Sequence, residues 1–309
     1  MPRLLIVTAD DYGFTAGINR GIDACVEAGS IRSVCVMTNM PFWKEIEILA
    51  ARHPDLSVGI HWNVTQGRPL LPPGDVSSLL GPDGEFLPPR RFRQEFRRGT
   101  VSLRQLEAEL EAQIRRMRDS IPTVAYWNTH QNIHVTRGLY APFTEIARRL
   151  GIRVMRSHRR RIARGGRPAL GYFVRHPVFW LKGIVLGIWA SNAARRGMAL
   201  PVVRIIDPEY PAGCVALVDA LRGTDWEGAA ELVTHPAANL DGLYGLTTML
   251  DSRVAEFRVF SDPHFAARLA AQGIELSSFA AIEAHGGGEH SETPGRASVG
   301  LSGRSTDRI

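Results

Sequence analysis

The chain has 309 residues, 44% of them hydrophobic and 22% charged, with a formal net charge of +6. That is an ordinary soluble globular composition, long enough for one large domain or two small ones, and it excludes a chain too polar to bury a core. The positive balance favours anionic partners and says nothing about fold, and much of it sits in one run, RSHRRRIARGGR from Arg156 to Arg167.

In chain order, the first apolar run starts at Leu4 and meets acid by Asp10, too short for a secretory signal. It predicts a strand over 4–9, buried on both faces and ending in TADDYG. A helix from Thr15 to Ala28, closed by Gly29, leads to a strand over 33–38, a helix over 41–52 and a third strand over 56–64. The segment Gln66 to Gly99, rich in Pro, Gly and Arg, is longer than a usual connection and reads as a functional loop over one end of the sheet. Leu103, Leu106, Leu110, Ile114 and Met117 then trace one helix face, with Ser102 and Gln105 as a capping box. A strand over 123–128, a helix ending at Leu150 and a strand over 152–156 follow.

VFWLKGIVLGIWA, Val178 to Ala190, is apolar except for Lys182 and well under the ~20 residues of a membrane span, so it reads as a buried or interfacial helix. A strand over 230–235, a capped helix over 261–273 and a last strand in IELSSF complete the pattern. From Ala284 the chain is small and polar and predicts a disordered tail over 284–309, whose His285 and His290 read as adventitious metal binders. Cys25, Cys35 and Cys214, odd in number and without CxxC spacing, read as reduced, buried thiols of a cytoplasmic protein.

Strands alternating with helices imply βα units and a mostly parallel sheet. So many repeats favour a (β/α) barrel, or a distorted one, over an open doubly wound sheet, and no glycine-rich phosphate fingerprint follows the first strand. In either architecture the C-terminal strand ends share one face. TADDYG, GIHWNVTQGRP, WNTHQNIH and LVTHP each stand at such an end. Asp11, His61 and His130 would supply two imidazoles and one carboxylate to a divalent cation, with positions left open for water or substrate. Asp10 next door would then accept a proton from the activated water. The duller readings are a turn or helix cap for the two acids, a core histidine at His61, and a plain strand end at His235. Four such coincidences at strand ends favour the site.

Assembled, the blocks IVTADDYG, VGIHWNVTQGRPL, NTHQNIHV and ELVTHP resemble the YdjC-like carbohydrate deacetylases, in that family's order, over about residues 3 to 282. The resemblance implies an α/β fold, the distorted (β/α) barrel of the polysaccharide-deacetylase type, over 1–283, with a basic and apolar helical segment inserted at about 157–200. It implies hydrolysis of N-acetyl groups from amino sugars with one divalent metal, with Mg²⁺ favoured by the resemblance, while the donor set also suits Zn²⁺. It carries metal binding onto Asp11, His61 and His130, the general base onto Asp10, the general acid onto His235 and a site-facing role onto Arg156. Tyr12, Trp62, Asn63 and His134, beside those motifs, are expected at the substrate. Two positions depart from the family pattern. Asn128 stands where an Asp is common, which weakens the expected support around His130, and Trp62 replaces an aliphatic residue.

The expected partner is a carbohydrate bearing an N-acetyl amino sugar, with no nucleic acid and a homodimer left open. The basic, Trp-bearing stretch from Arg159 to Arg196 fits contact with an anionic membrane or a lipid-linked glycan, or, more plainly, a surface helix with solvated arginines. A metal-dependent phosphoesterase and a catalytically inactive glycan-binding homologue are the competing classes.

Overall fold

The structure, a computed structural model, describes residues 2–163, 177–206 and 213–286. Arg164, Arg167, Arg175, His290 and the tail from 287 onward lie outside the described residues.

Among the described residues eight strands form one sheet: β1 (Arg3–Tyr12), β2 (Ser33–Val36), β3 (Ser57–Trp62), β4 (Trp127–Thr129), β5 (Arg160–Ile162), β6 (Val203–Ile206), β7 (Gly228–Thr234) and β8 (Ile274–Ser277). Their order is β4-β3-β2-β1-β7-β6-β5, and β8 also pairs with β1. Every pairing between these strands is parallel. One edge of β1 serves two neighbours, β8 along Arg3 to Ile6 and β2 along Thr8 to Tyr12. The sheet curls on itself, because single parallel bridges Trp127 to Met155 and Val154 to Ala199 link the β4 end to the β5–β6 end. The expected distorted barrel is the result, and its strands carry β-branched and aliphatic side chains because both faces are covered.

Local chemistry accounts for the helices that cover it, which begin in chain order with α1 (Ala16–Glu27), α2 (Ile46–Arg52), α3 (Pro89–Arg98) and α4 (Leu103–Arg118). In α1 (Ala16–Glu27) the Thr15 hydroxyl caps the first turn, accepting from the Ile18 amide at 3.2 Å. In α4 (Leu103–Arg118) Ser102 caps in the same way, and Leu106, Leu110, Ile114 and Met117 are buried as their spacing requires. Leu103, in the first turn, stays 45% exposed. Three expected elements are cut back to half their length or less. Regular strand starts only at Trp127 and runs to Thr129, so most of the 123–128 run is irregular, although the Ala125 amide still donates to the Val58 carbonyl. The 152–156 run contributes single bridges. Asp262 accepts from the His264 amide at 2.8 Å, a side-chain turn that delays the helix expected from 261 to Phe265–Ala270.

The long segment after β3 is built rather than loose. It holds a short 3-10 stretch over Pro73–Leu79 and the helix α3 (Pro89–Arg98). The buried Glu109 of α4 accepts from the Leu70 and Leu71 amides and fixes its first part.

Gly13 shows how β1 ends. Its φ is +97°, its amide donates to Asn19 Oδ1 at 2.7 Å, and a Cβ there would lie 2.8 Å from Trp43 Cα. Both the left-handed backbone and the close approach exclude a side chain. Gly13→Ala is expected to cost about 1–3 kcal/mol of stability, read as a lower urea midpoint with unchanged slope.

Candidate active site

In a regular strand Asp10 and Asp11 would point to opposite faces. The register of β1 against β2 shifts between Ala9 and Tyr12, and Asp11 has φ +70°. This bulge turns both carboxylates toward one cleft at the C-terminal strand ends. The cleft has a volume of about 640 Å³ and is lined by Asp10, Asp11, His61, His130, Arg156 and His235 among others.

Asp11 is divided between two kinds of partner. Its Oδ2 receives the Arg253 guanidinium, while its Oδ1 lies 3.2 Å from His61 Nε2 and 2.9 Å from His130 Nδ1. Burial pushes this carboxyl up, but His130 and Arg253 outweigh it and hold Asp11 well below the usual carboxylate range. The three candidate ligand atoms lie within 4.8 Å of one another, and all three residues are buried. One carboxylate and two imidazoles at that spacing fit a hard or borderline divalent cation.

His61 is oriented from behind. Its Nδ1 is hydrogen-bonded to Asn128 Oδ1, which places the proton on Nδ1 and leaves Nε2 to face Asp11. Asn128 also accepts from Cys35 Sγ at 2.9 Å and donates through Nδ2 to Asp10 Oδ1 at 3.0 Å. Asn128 therefore supports His61 and Asp10, not His130 as the sequence suggested. A carboxylate in its place could not donate to Asp10 and would repel it. A second group, Asp10, Cys35 and His61, has similar spacing. Burial, with Asp10 close by, pushes the Cys35 thiol well up, and as a thiol it donates to Asn128.

Asp10 is gripped by Arg156, whose Nη1 and Nη2 reach its two oxygens at 2.7 and 2.8 Å. Burial pushes Asp10 up, and Arg156 and His61 more than offset this, so it stays ionised. Arg156 Nε is held in turn by Glu231 at 2.8 Å. His235 follows β7, with Nε2 at 3.9 Å from Asp10 Oδ2. Its backbone amide and the Thr234 hydroxyl both donate to Glu256. Burial lowers His235 to about 4, against the opposing pull of Asp11.

Four residues expected at the substrate are not brought to this cleft. Trp62 is buried against Trp127 and Phe143, and its indole N–H donates to the Leu110 carbonyl at 3.1 Å. Asn63 organises the turn after β3, bonding the Gln66 carbonyl and the Thr65 amide. Tyr12 is fully buried, with its phenol near Asp23 of α1. His134 is buried beneath the cleft floor, bonded to Thr129 at 2.6 Å and, through Nε2, to His158 Nε2 at 2.7 Å.

The His134–His158 pair has a measurable consequence. One imidazole donates to the other, so at most one could carry a charge, and burial disfavours even that. Burial, helped by Arg156, lowers His134 to about 3, and burial with His134 nearby lowers His158 well below its ordinary value. Unfolded, both would protonate near pH 6.5. The unfolded state thus binds more protons below that pH, and stability falls as pH drops from about 6.5 toward 4, by about 1.4 kcal/mol per pH unit for each neutral imidazole. Urea unfolding across that range is expected to show this slope, and His158→Gln is expected to flatten it.

A family model described as YdjC-like protein matches residues 4–271. The chain belongs to the YdjC-like family. Among similar relatives of this YdjC-like protein, the carbohydrate deacetylase of Homo sapiens is 32% identical, over 93% of this chain and 94% of that protein. The carbohydrate deacetylase of Geobacillus stearothermophilus is 30% identical, over 90% of this chain and 98% of that protein. A crystal structure from Enterococcus faecalis, of a protein provisionally assigned to cellobiose-phosphate cleavage, superposes with a TM-score of 0.71. It is 20% identical and covers 91% of this chain and 99% of that one, so it speaks for the fold alone.

Beyond the expected set, the YdjC-like chain brings Arg253, Glu256 and Arg204 to the site. Arg253 and Glu256 lie three apart on the helix Leu250–Phe260 and both are buried. Arg204 of β6 lines the cleft, and burial with Arg156 nearby lowers it to about 10. A charged pair at helical spacing is the only sequence signal for the first two, and it reads equally as a solvated face. A groove of about 910 Å³, formed largely by the segment after β3, shares Gln131, Gly245 and Leu246 with the cleft.

Proposed function

We propose that this YdjC-like protein is a metal-dependent hydrolase that removes the N-acetyl group from an amino sugar within an oligosaccharide or glycolipid glycan. The observation that carries this reading is the convergence of Asp11, His61 and His130, from three strand ends, on one cleft beside Asp10. The names of the relatives support the substrate class, and the adjoining groove supports a glycan longer than one sugar.

Asp11 Oδ1, His61 Nε2 and His130 Nδ1 would hold the cation, with Mg²⁺ favoured by resemblance and Zn²⁺ suited to the same donors. Such a cation supplies Lewis-acid polarisation of the acetamide carbonyl and a water acidic enough to be deprotonated near neutrality. The chain's own residues do the remaining work. Asp10 stays ionised under the grip of Arg156, so it is a weak base and is always ready to accept a proton from the attacking water. His235 is neutral before reaction, so it must collect a proton before it can give one. Asp10 Oδ2, at 3.9 Å, is the nearby source, and the departing amine is the destination. Water and acetamide then become acetate and a free amine. The unpaired cysteines support a reducing, cytoplasmic setting.

Acetate release from N-acetylated oligosaccharides, with and without chelator, tests the proposal. Activity should fall by more than about 100-fold with chelator and return when Mg²⁺ or Zn²⁺ is restored. Phosphate release from phosphorylated sugars without acetate would mark a phosphoesterase. Glycan binding with no turnover would mark an inactive homologue.

A further inference from the structure

The helix Pro177–Arg195 is apolar on two sides. Leu186, Ala190 and Ala193 are buried against the barrel. On the outer side Val178, Leu181, Val185 and Ile188 follow at steps of three and four, with Ile184 beside them, and their exposures run from 44% to 76%. A single exposed aliphatic residue needs no explanation, but five in one stripe leave a continuous apolar patch in water. No helix among the described residues is long and apolar enough to cross a membrane, so the stripe is not part of a span.

Cations accompany the stripe. Lys182 is exposed on its margin and stands close enough to Arg160 and Arg93 for their charges to bear on its ammonium. Arg195 and Arg196 are exposed at the helix end. There a cavity of about 360 Å³ opens between this helix and Tyr140–Arg149, lined by Arg137 and Arg196 with Trp189, Tyr140 and Asn192. Two guanidinium groups beside an indole suit a phosphate headgroup.

We infer that this helix docks the protein onto an anionic lipid bilayer, with the aliphatic stripe in the interface and Lys182, Arg137, Arg195 and Arg196 against headgroup phosphates. The competing occupant of the stripe is a second copy of this chain. A two-fold contact centred on the stripe would set Lys182, beside its middle, near its own symmetry mate, and five aliphatic side chains fall short of the roughly 800 Å² per partner of a stable interface. Charge complementarity therefore selects lipid. The inference stands apart from the catalytic proposal, since none of these residues lines the catalytic cleft.

Co-sedimentation of the full chain with vesicles of equal parts phosphatidylglycerol and phosphatidylcholine tests it. Binding is expected at low salt, is expected to weaken as salt rises and to be nearly absent on phosphatidylcholine alone. Leu181→Gln with Ile188→Gln should weaken partitioning about tenfold or more. Lys182→Gln with Arg195→Gln and Arg196→Gln, which changes no buried side chain, should remove most of the salt-sensitive binding. Acetate release from a water-soluble oligosaccharide should be the same in wild type and both variants, which separates this inference from the catalytic one. No binding to anionic vesicles at low salt would overturn it, as would equal binding by both variants. Sedimentation equilibrium showing a dimer that the stripe variant dissolves would assign the stripe to a second copy instead.

Discussion

Asp11→Ala is expected to empty the cation site and abolish deacetylation. Asp11 is the shared centre of the site, with Oδ1 turned to His61 and His130 and Oδ2 to Arg253. Removing it takes away the only anionic member of the candidate ligand set and leaves two imidazoles, which hold a hard cation poorly. It also leaves Arg253 buried without its carboxylate, so stability should fall by about 3–5 kcal/mol. Asp11→Asn keeps the shape and a hydrogen-bond acceptor for Arg253, and it separates the two effects. Metal content of the purified variants should drop from about one equivalent per chain to a small fraction, in Asp11→Asn without unfolding.

Asp10→Asn should behave differently. Asp10 lies outside the Asp11, His61 and His130 set and is tied to Arg156 and Asn128. The variant is expected to retain the cation while kcat falls by about 10²–10⁴-fold, the usual contribution of one positioned base, or roughly 3–5 kcal/mol. Metal analysis beside steady-state rates checks this. Full turnover in Asp10→Asn would remove Asp10 from the role of base. Loss of metal in the same variant would place it among the ligands.

Much of this site was legible because strand ends in a parallel sheet share a face. Asp11, His61 and His130 stand in separate blocks, and topology alone brings their blocks together. What failed was inference by adjacency. Trp62 follows His61 along β3 and therefore points the other way, into the aromatic core with Trp127. Tyr12 follows the bulge and returns to the core side, and His134 lies one turn beyond His130 among buried rings. The reverse case is the Asp10–Asp11 pair, where alternation predicts opposite faces and the left-handed Asp11 undoes it. No composition signal marks that bulge. Sequence alone pairs Asn128 with His130, two positions on, whereas the register of β4 against β3 sets it beside His61. Arg253 and Glu256 were invisible for another reason: charged residues on a helix read as solvent-facing until the partner that buries them is known.

The fold shows the same division. Strands with β-branched runs and helices with capped apolar stripes were readable from local chemistry, as in β1 and α4. The run over 152–156 was not, because its apolar pattern matches a strand while its neighbours allow only single bridges.

All of this chemistry depends on Asp11, His61 and His130 holding one cation. Diffraction from crystals grown with manganese, recorded where that metal scatters anomalously, tests it most directly. A single strong anomalous peak is expected within coordination distance of Asp11 Oδ1, His61 Nε2 and His130 Nδ1. A peak at other residues, in protein that releases acetate, would contradict it.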